Sequence, residues 1–280
     1  MKKILVLSGG GSHGSFEMGV VSRLIQDNKG GWDLITGVSA GSINGSYLCT
    51  IDKKREKEFI KDFKVLWSNL KNKDIFEGEY FFNGLSMYNS NKYKTKLEEI
   101  FENKLPKRPL ILSSTSLNTS KSKIFNFKDI KTYGFVDPIM CSSSVPLVFQ
   151  PYNFLDDMFV DGGLTSNVLL IEAVNYCLKY FPKEPIHIDV IICTKLLETE
   201  KIDKDKFHFN NLLQRLIGII EQQIEYFELL KTEKFPCKID ITVYEQKENS
   251  KYSFLDFDHG EEQFNSGFSF ENVKEYKLEI

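Results

Sequence analysis

Three short stretches of the chain carry residue types at spacings that could do covalent chemistry. Gly37-Val38-Ser39-Ala40-Gly41 reads GxSxG at the end of an apolar run that begins near Asp33. A serine between a strand and a helix stands on a turn so sharp that neighbouring Cβ atoms would collide, and Gly37 and Gly41 remove them. The consequence is a hydroxyl lifted over the sheet edge, as nucleophilic attack requires. Gly9-Gly10-Gly11-Ser12-His13-Gly14 fits GxGxxG through Gly9, Gly11 and Gly14. Bare N–H groups at a helix N-terminus serve a pyrophosphate or a reaction oxyanion equally well, and Asp33 downstream keeps a dinucleotide site open. Against that reading, Ser39 stands where the ribose-binding acid belongs, Asp33 sits at the strand's beginning, and the lysine of a Walker loop is absent. Third, Asp161-Gly162-Gly163 follows the apolar Met158-Phe159-Val160, which brings a carboxylate out at a strand end with unhindered backbone around it.

A serine nucleophile needs a base. The histidines are His13, His187, His208 and His259, and none forms a motif. Asp161 is one candidate; Ser39, Asp161 and His259 in the chain order of an α/β-hydrolase triad are the alternative. A binding module without catalysis, for a dinucleotide or a lipid, is the reading from a different class.

The elements that must position these residues alternate. Ile4 to Leu7 is a short apolar strand, and Ser15 to Gln26 follows with helical spacing of Phe16, Val20 and Leu24. Asp33 to Val38 and Ile43 to Thr50 repeat the unit, which argues for an α/β protein with a parallel sheet and crossover helices. Leu110–Ser114, Lys123–Phe127, Ile186–Cys193 and Ile239–Tyr244 read as further strands, and Leu169–Phe181 and Phe209–Leu230 as helices. Phe209, Leu213, Leu216, Ile220, Ile224 and Phe227 form a stripe that predicts a core helix, with Glu221, Glu225 and Glu228 on its polar side. Lys53 to Lys71 predicts an amphipathic helix packed on the sheet; its seven basic residues and Trp67 also suit a peripheral membrane face, as do the aromatics Tyr80, Phe81 and Phe82 beyond it.

Composition narrows the class. The 280 residues are 41% apolar and 27% charged, which excludes disorder and low complexity, and the net charge of −3 gives no general attraction for nucleic acid. Cys49, Cys141, Cys177, Cys193 and Cys237 are scattered without CxxC spacing, so buried thiols in a reducing compartment are expected rather than disulfides or zinc. The apolar run at the start is cut after four residues by Gly9 to Gly11, and no stretch approaches a membrane span. A cytoplasmic protein, meeting membranes only from outside, is the expectation.

Taken together, GGGxxG, then GxSxG, then DGG beyond position 150 resemble the patatin-like phospholipase family. Cys141-Ser142-Ser143-Ser144-Val145-Pro146 is similar to the family's Ser-rich block ending in proline, and Asp161 to Asn167 matches its DGGxxxN. The similarity runs in order from residue 4 to about residue 175, and Phe254 to Phe270 resembles the family's C-terminal end. The resemblance implies a three-layer α/β/α fold with a mostly parallel central sheet, in a single domain over residues 1–280. It also implies a lipid acyl hydrolase of the phospholipase A or lysophospholipase type, acting through a Ser-Asp dyad. Ser39 would be the nucleophile, Asp161 the base, and the N–H groups of Gly9, Gly10 and Gly11 the oxyanion hole, with Ser142 to Ser144 structural. No metal or cofactor is called for, so the activity is expected to be calcium-independent, and the partner is a phospholipid or other acyl lipid. Attack by Ser39 requires Asp161 in a partly desolvated place, because a carboxylate near pKa 4 is a poor base at neutral pH. One position departs from the family: His13 stands where Arg or Lys is usual. It reads either as a solvent-facing residue at a helix start or as a neutral hydrogen-bond partner shaping the glycine loop, with its pKa lowered by the helix N-terminus.

Overall fold

The computed structural model of the chain describes residues 1–78, 86–195, 209–230, 239–248 and 250–278. His208, Cys237, Tyr80, Phe81 and Phe82 lie outside the described residues. The strands are β1 (Lys2–Leu7), β2 (Leu34–Gly37), β3 (Ser86–Tyr88), β4 (Leu110–Ser116), β5 (Ser122–Phe125), β6 (Leu147–Phe149), β7 (Tyr152–Phe154), β8 (Asp157–Asp161), β9 (Ile186–Ile191), β10 (Ile239–Gln246) and β11 (Val273–Leu278). The helices are α1 (Gly14–Gln26), α2 (Ala40–Cys49), α3 (Ile60–Asn69), α4 (Asn72–Ile75), α5 (Asn91–Phe101), α6 (Phe127–Tyr133), α7 (Val136–Ser143), α8 (Leu170–Tyr180), α9 (Phe209–Leu230) and α10 (Gly260–Ser269).

The main sheet runs β11-β10-β9-β1-β2-β4-β8-β7, with β5 also on β4. Its middle, β10-β9-β1-β2-β4, is parallel throughout, and β11, β5, β8 and β7 are antiparallel additions at the margins. The short β3 and β6 pair separately. Because successive strand residues face opposite sides, β1 feeds two cores: Leu5 and Leu7 join one cluster with Phe16, Val20, Phe63 and Phe264, while Ile4 and Val6 join another with Leu170, Val174 and Cys177. The result is the expected three-layer α/β/α arrangement. The parallel register ends with Leu7 opposite both Gly37 and Ile191, so the ends of β1, β2 and β9 converge on one edge, where the loops that follow them meet.

Two expectations need correction. Lys53 to Lys71 is not one helix: a 3-10 turn at Glu56–Phe59 precedes α3, and Trp67 is buried with its Nε1–H donated to Asn44 Oδ1 at 2.8 Å. Trp67 therefore cannot anchor this segment in a bilayer. More sharply, α9 is not a core helix with its apolar stripe inward. Leu216, Ile220 and Phe227 are 48%, 44% and 57% exposed, whereas Glu225 and Glu228 are buried. The stripe defines two faces of a helix but not which one the rest of the fold needs; here the acidic face is taken inward by hydrogen-bond donors described below. No helix among the described residues is long and apolar enough to cross a membrane.

Candidate active site

The turn after β2 has the strain that its sequence implies. Ser39 takes φ 50° and ψ −118°, outside the regions a serine ordinarily occupies, and α2 starts at the next residue. A Cβ at Gly37 would overlap the carbonyl oxygen of Gly41, and one at Gly41 would lie 2.6 Å from the carbonyl oxygens of Leu7 and Ser8. Only glycine lets this turn pass so close to the end of β1. The Ser39 N–H donates to Ser142 Oγ at 2.9 Å. Ser142 thus braces the strained residue directly, a more specific place than the structural part expected for the serine block.

Asp161 arrives from a different strand. It ends β8 opposite Ser114 of β4, its N–H donates to the Ser144 carbonyl at 2.9 Å, and its carbonyl accepts from Thr115 Oγ1 at 2.9 Å. The residue is 1% exposed. Oδ1 accepts from Gly163 N at 2.8 Å, and the Ser39 hydroxyl also favours the ionised form; burial outweighs both and the pKa is pushed up to about 6. Oδ2 has no hydrogen bond of good geometry. The serine and the carboxylate are adjacent but not locked together, which is common before a substrate tightens such a contact.

The glycine loop also lies close to Ser39. A Cβ added to Gly9 would stand 3.2 Å from Ser39 Cβ. The loop is fastened at both ends: Cys193 N donates to Ser8 Oγ at 2.9 Å, Ser8 Oγ donates to the Gly9 carbonyl at 3.0 Å, and Ser12 N donates to the Phe254 carbonyl at 2.7 Å. Of the three expected oxyanion donors, the Gly9 N–H is already taken, donating to Asn167 Oδ1 at 3.1 Å. Among the described residues, the N–H groups of Gly10 and Gly11 donate to nothing. Gly14, the last glycine of the motif, is needed for space, since a Cβ there would lie 2.7 Å from the Trp67 ring.

His13 is not solvent-facing. It is 7% exposed, and Nε2 lies 3.0 Å from the Tyr252 carbonyl. A carbonyl can only accept, so Nε2 carries a proton; Nδ1 is buried and unpartnered, which disfavours a second proton there. Its pKa is lowered chiefly by burial rather than by the helix terminus, with the Tyr252 carbonyl opposing. His259 sits elsewhere in role: it is 44% exposed, pairs with Asp256 at 3.0 Å and stacks on the Tyr252 ring. Nothing in its contacts joins it to Ser39 or Asp161. His187 is engaged with Asp189 and Asp240.

Several contributors were missed from the sequence. On α2, Asn44 Nδ2 donates to the Gly14 carbonyl and to Glu17 Oε2, both at 2.8 Å, so the helix after the serine turn is tied to the helix after the glycine loop. Glu17 is fully buried and its pKa is held well above the usual carboxylate range by desolvation. On α9, Glu225 accepts from Asn167 Nδ2 at 2.7 Å, and Glu228 accepts from the N–H groups of Asn167 and Val168 at 3.0 and 2.8 Å and from Ser166 Oγ. Amphipathic patterning could have flagged the spacing of these glutamates, but not their destination. Beside Ser39 opens an apolar cavity lined by Ile43, Ile75, Val145, Phe149, Leu255 and Phe257, with Tyr93 hydrogen-bonded to Ser143 Oγ at 2.8 Å in its wall.

Over 180 residues the chain is 28% identical to an uncharacterized protein of Acanthamoeba polyphaga mimivirus, covering 59% of each. Over 227 residues it is 26% identical to a probable lipid hydrolase of Invertebrate iridescent virus 6, covering 75% of this chain and 76% of that protein. The chain thus spans about three-fifths of the first relative's length and three-quarters of the second's. The crystal structure of VipD from Legionella pneumophila aligns with 98% of this chain and 68% of its own, at 13% identity and a TM-score of 0.44. The family description patatin-like phospholipase matches residues 5–174, a span that holds the glycine loop, the serine turn and the Asp161 turn. The chain belongs to the patatin-like phospholipase family.

Proposed function

We propose that the protein hydrolyses fatty-acyl esters of lipids, in the manner of a phospholipase A or lysophospholipase, through Ser39 and Asp161. The observation that carries this reading is a buried carboxyl whose pKa is lifted to about 6 beside a serine on a strained turn, next to an apolar cavity. At pH 7 such a carboxyl is roughly nine-tenths ionised yet more basic than an ordinary aspartate, which suits a general base. Asp161 takes the Ser39 proton as Oγ attacks the ester carbonyl, and the cavity receives the acyl chain. The oxyanion that forms is met by the Gly10 and Gly11 N–H groups, each able to contribute about 3 kcal/mol if well placed. Asp161 then returns the proton to the leaving alcohol, and the acyl-enzyme is released by water deprotonated at the same carboxylate. The probable lipid hydrolase among its relatives supports the substrate class. Contact with a lipid surface follows from that class, and the three layers act as one domain over residues 1–280.

Labelling with a serine-directed fluorophosphonate, followed by a panel of phospholipid, lysophospholipid and neutral acylglycerol substrates with product analysis by mass spectrometry, tests this. Labelling confined to Ser39 and release of free fatty acid are expected. A protein that binds lipid but is neither labelled nor active is a binding module instead.

A further inference from the structure

Asn167 occupies the junction between the two loops that flank Ser39. It is 1% exposed, six residues beyond Asp161 on the same turn and 158 residues from Gly9, whose N–H it accepts at 3.1 Å. Two separate glycines make room for its amide oxygen. A Cβ at Gly9 would overlap Oδ1, and a Cβ at Gly163 would come within 2.8 Å of it. The orientation of the amide is fixed by chemistry: a backbone N–H can only donate, so the oxygen must face Gly9 and the NH2 must face away. That NH2 donates to Glu225 Oε1 at 2.7 Å, while the Asn167 backbone N–H donates to Glu228 Oε2 at 3.0 Å. Aspartate at 167 could supply the acceptor but not the donor, and would set a third carboxylate beside Glu225 and Glu228.

We infer that Asn167 is a positioning residue for the reaction, fixing the glycine loop against the Asp161 turn, and that Glu225 and Glu228 of α9 act through it. The inference rests on the proposed Ser39–Asp161 hydrolysis and adds to it. Holding the Gly9 N–H removes that group from the oxyanion hole, and it sets where the next two N–H groups, on Gly10 and Gly11, stand relative to Ser39. It also explains why α9 turns its glutamates inward and leaves Leu216, Ile220 and Phe227 outside. Among the described residues, it is Glu225 and Glu228 of α9 that accept from Ser166, Asn167 and Val168.

The test uses the full chain, a soluble ester, and active-site titration with fluorophosphonate so that rates refer to competent enzyme. Asn167→Ala and Glu225→Ala should each lower kcat by about ten- to a hundredfold with KM changed less than about threefold, the signature of misplaced groups rather than lost binding. Glu225→Gln keeps an acceptor oxygen for the Asn167 NH2 and should restore most of the kcat lost in Glu225→Ala. The Asn167→Ala, Glu225→Ala double variant should be no worse than about threefold below the poorer single one, because both remove the same constraint. Full kcat per titrated site in Asn167→Ala overturns the inference. If that variant does not fold, equal kcat in Glu225→Ala and Glu225→Gln does so. Ser39→Ala is the control: if it stays active, the hydrolytic reading itself fails, whereas an inactive Ser39→Ala beside a fully active Asn167→Ala removes only the positioning role.

Discussion

Gly37 and Gly41 bracket Ser39 so closely that a methyl group on the first would occupy the space of the second's carbonyl oxygen. Gly37→Ala therefore cannot be accommodated by a side-chain shift, since the obstacle is backbone. A loss of stability of about 3 kcal/mol or more is expected, with fluorophosphonate labelling reduced in whatever fraction folds. Thermal unfolding followed by circular dichroism, read alongside labelling, measures both. An unchanged midpoint would mean that the turn relaxes more easily than its contacts indicate.

Asp161 sets the pH dependence expected of the reaction. With its carboxyl at about 6, activity on a soluble ester should climb as pH rises through 6 and level off above 7. Asp161→Asn and Ser39→Ala should each cost about three orders of magnitude or more, and His259→Ala, held by Asp256 and Tyr252, should retain most activity. Activity that survives Asp161→Asn but not His259→Ala would reverse the assignment.

The same carboxyl opposes folding. Its folded pKa lies above the unfolded value, so the folded state binds more protons between about pH 4 and 6, and stability falls as pH rises across that window. Asp161→Asn removes this penalty and should be more stable than the parent above pH 6, by on the order of 2 kcal/mol, while equal to it below pH 4. Urea midpoints at pH 4 and 7.5 provide the comparison, and a variant less stable at both would point to a structural part for the charge.

Glu225 behaves in the same direction over a wider range. Burial pushes its pKa up to about 8, with Glu228, Glu245 and Glu17 nearby and Glu221 on the same helix, while the Asn167 NH2 works against the shift. Stability should decline as pH rises from about 4.5 to 8 and then stop declining. Glu225→Gln should flatten that slope. Chemical denaturation at pH 5, 7 and 9 reads it directly; parallel curves for the two proteins would show that this carboxyl is not the group responsible.

His13 has the opposite sign. A buried imidazole with a lowered pKa binds fewer protons in the folded state, so its contribution is intact at pH values above about 6.5 and is lost as pH falls below that. His13→Gln can still donate from Nε2 to the Tyr252 carbonyl but cannot be protonated. Its acid-side loss of stability should be smaller than the parent's, with activity at pH 8 within a few fold. Identical acid limbs would make His13 a bystander.

Local turn chemistry was readable in the residues themselves. GxSxG, the glycine loop and Asp161-Gly162-Gly163 each demand a backbone path that few residues allow, and strand and helix periodicity around β1, α1, β2 and α2 placed the first two at strand ends. Fold class followed from the alternation of strands and helices and the family from the resemblance that these motifs carry in their order; the motifs were visible because close approach of backbone to backbone leaves its mark as glycine wherever in the fold it occurs. What the chain alone could not decide was which faces meet. The stripe on α9 has the same periodicity whether Phe227 or Glu228 points inward, and only the cluster of donors at Ser166, Asn167 and Val168 turns it. Whether Trp67 and His13 face solvent or the interior stayed open because their partners, Asn44 and the Tyr252 carbonyl, lie 23 and 239 residues away. The occupied N–H of Gly9 was equally hidden, since its acceptor comes from the far end of the family domain. Burial, direction and protonation of polar groups are set by long-range packing and desolvation, and a one-dimensional pattern carries neither.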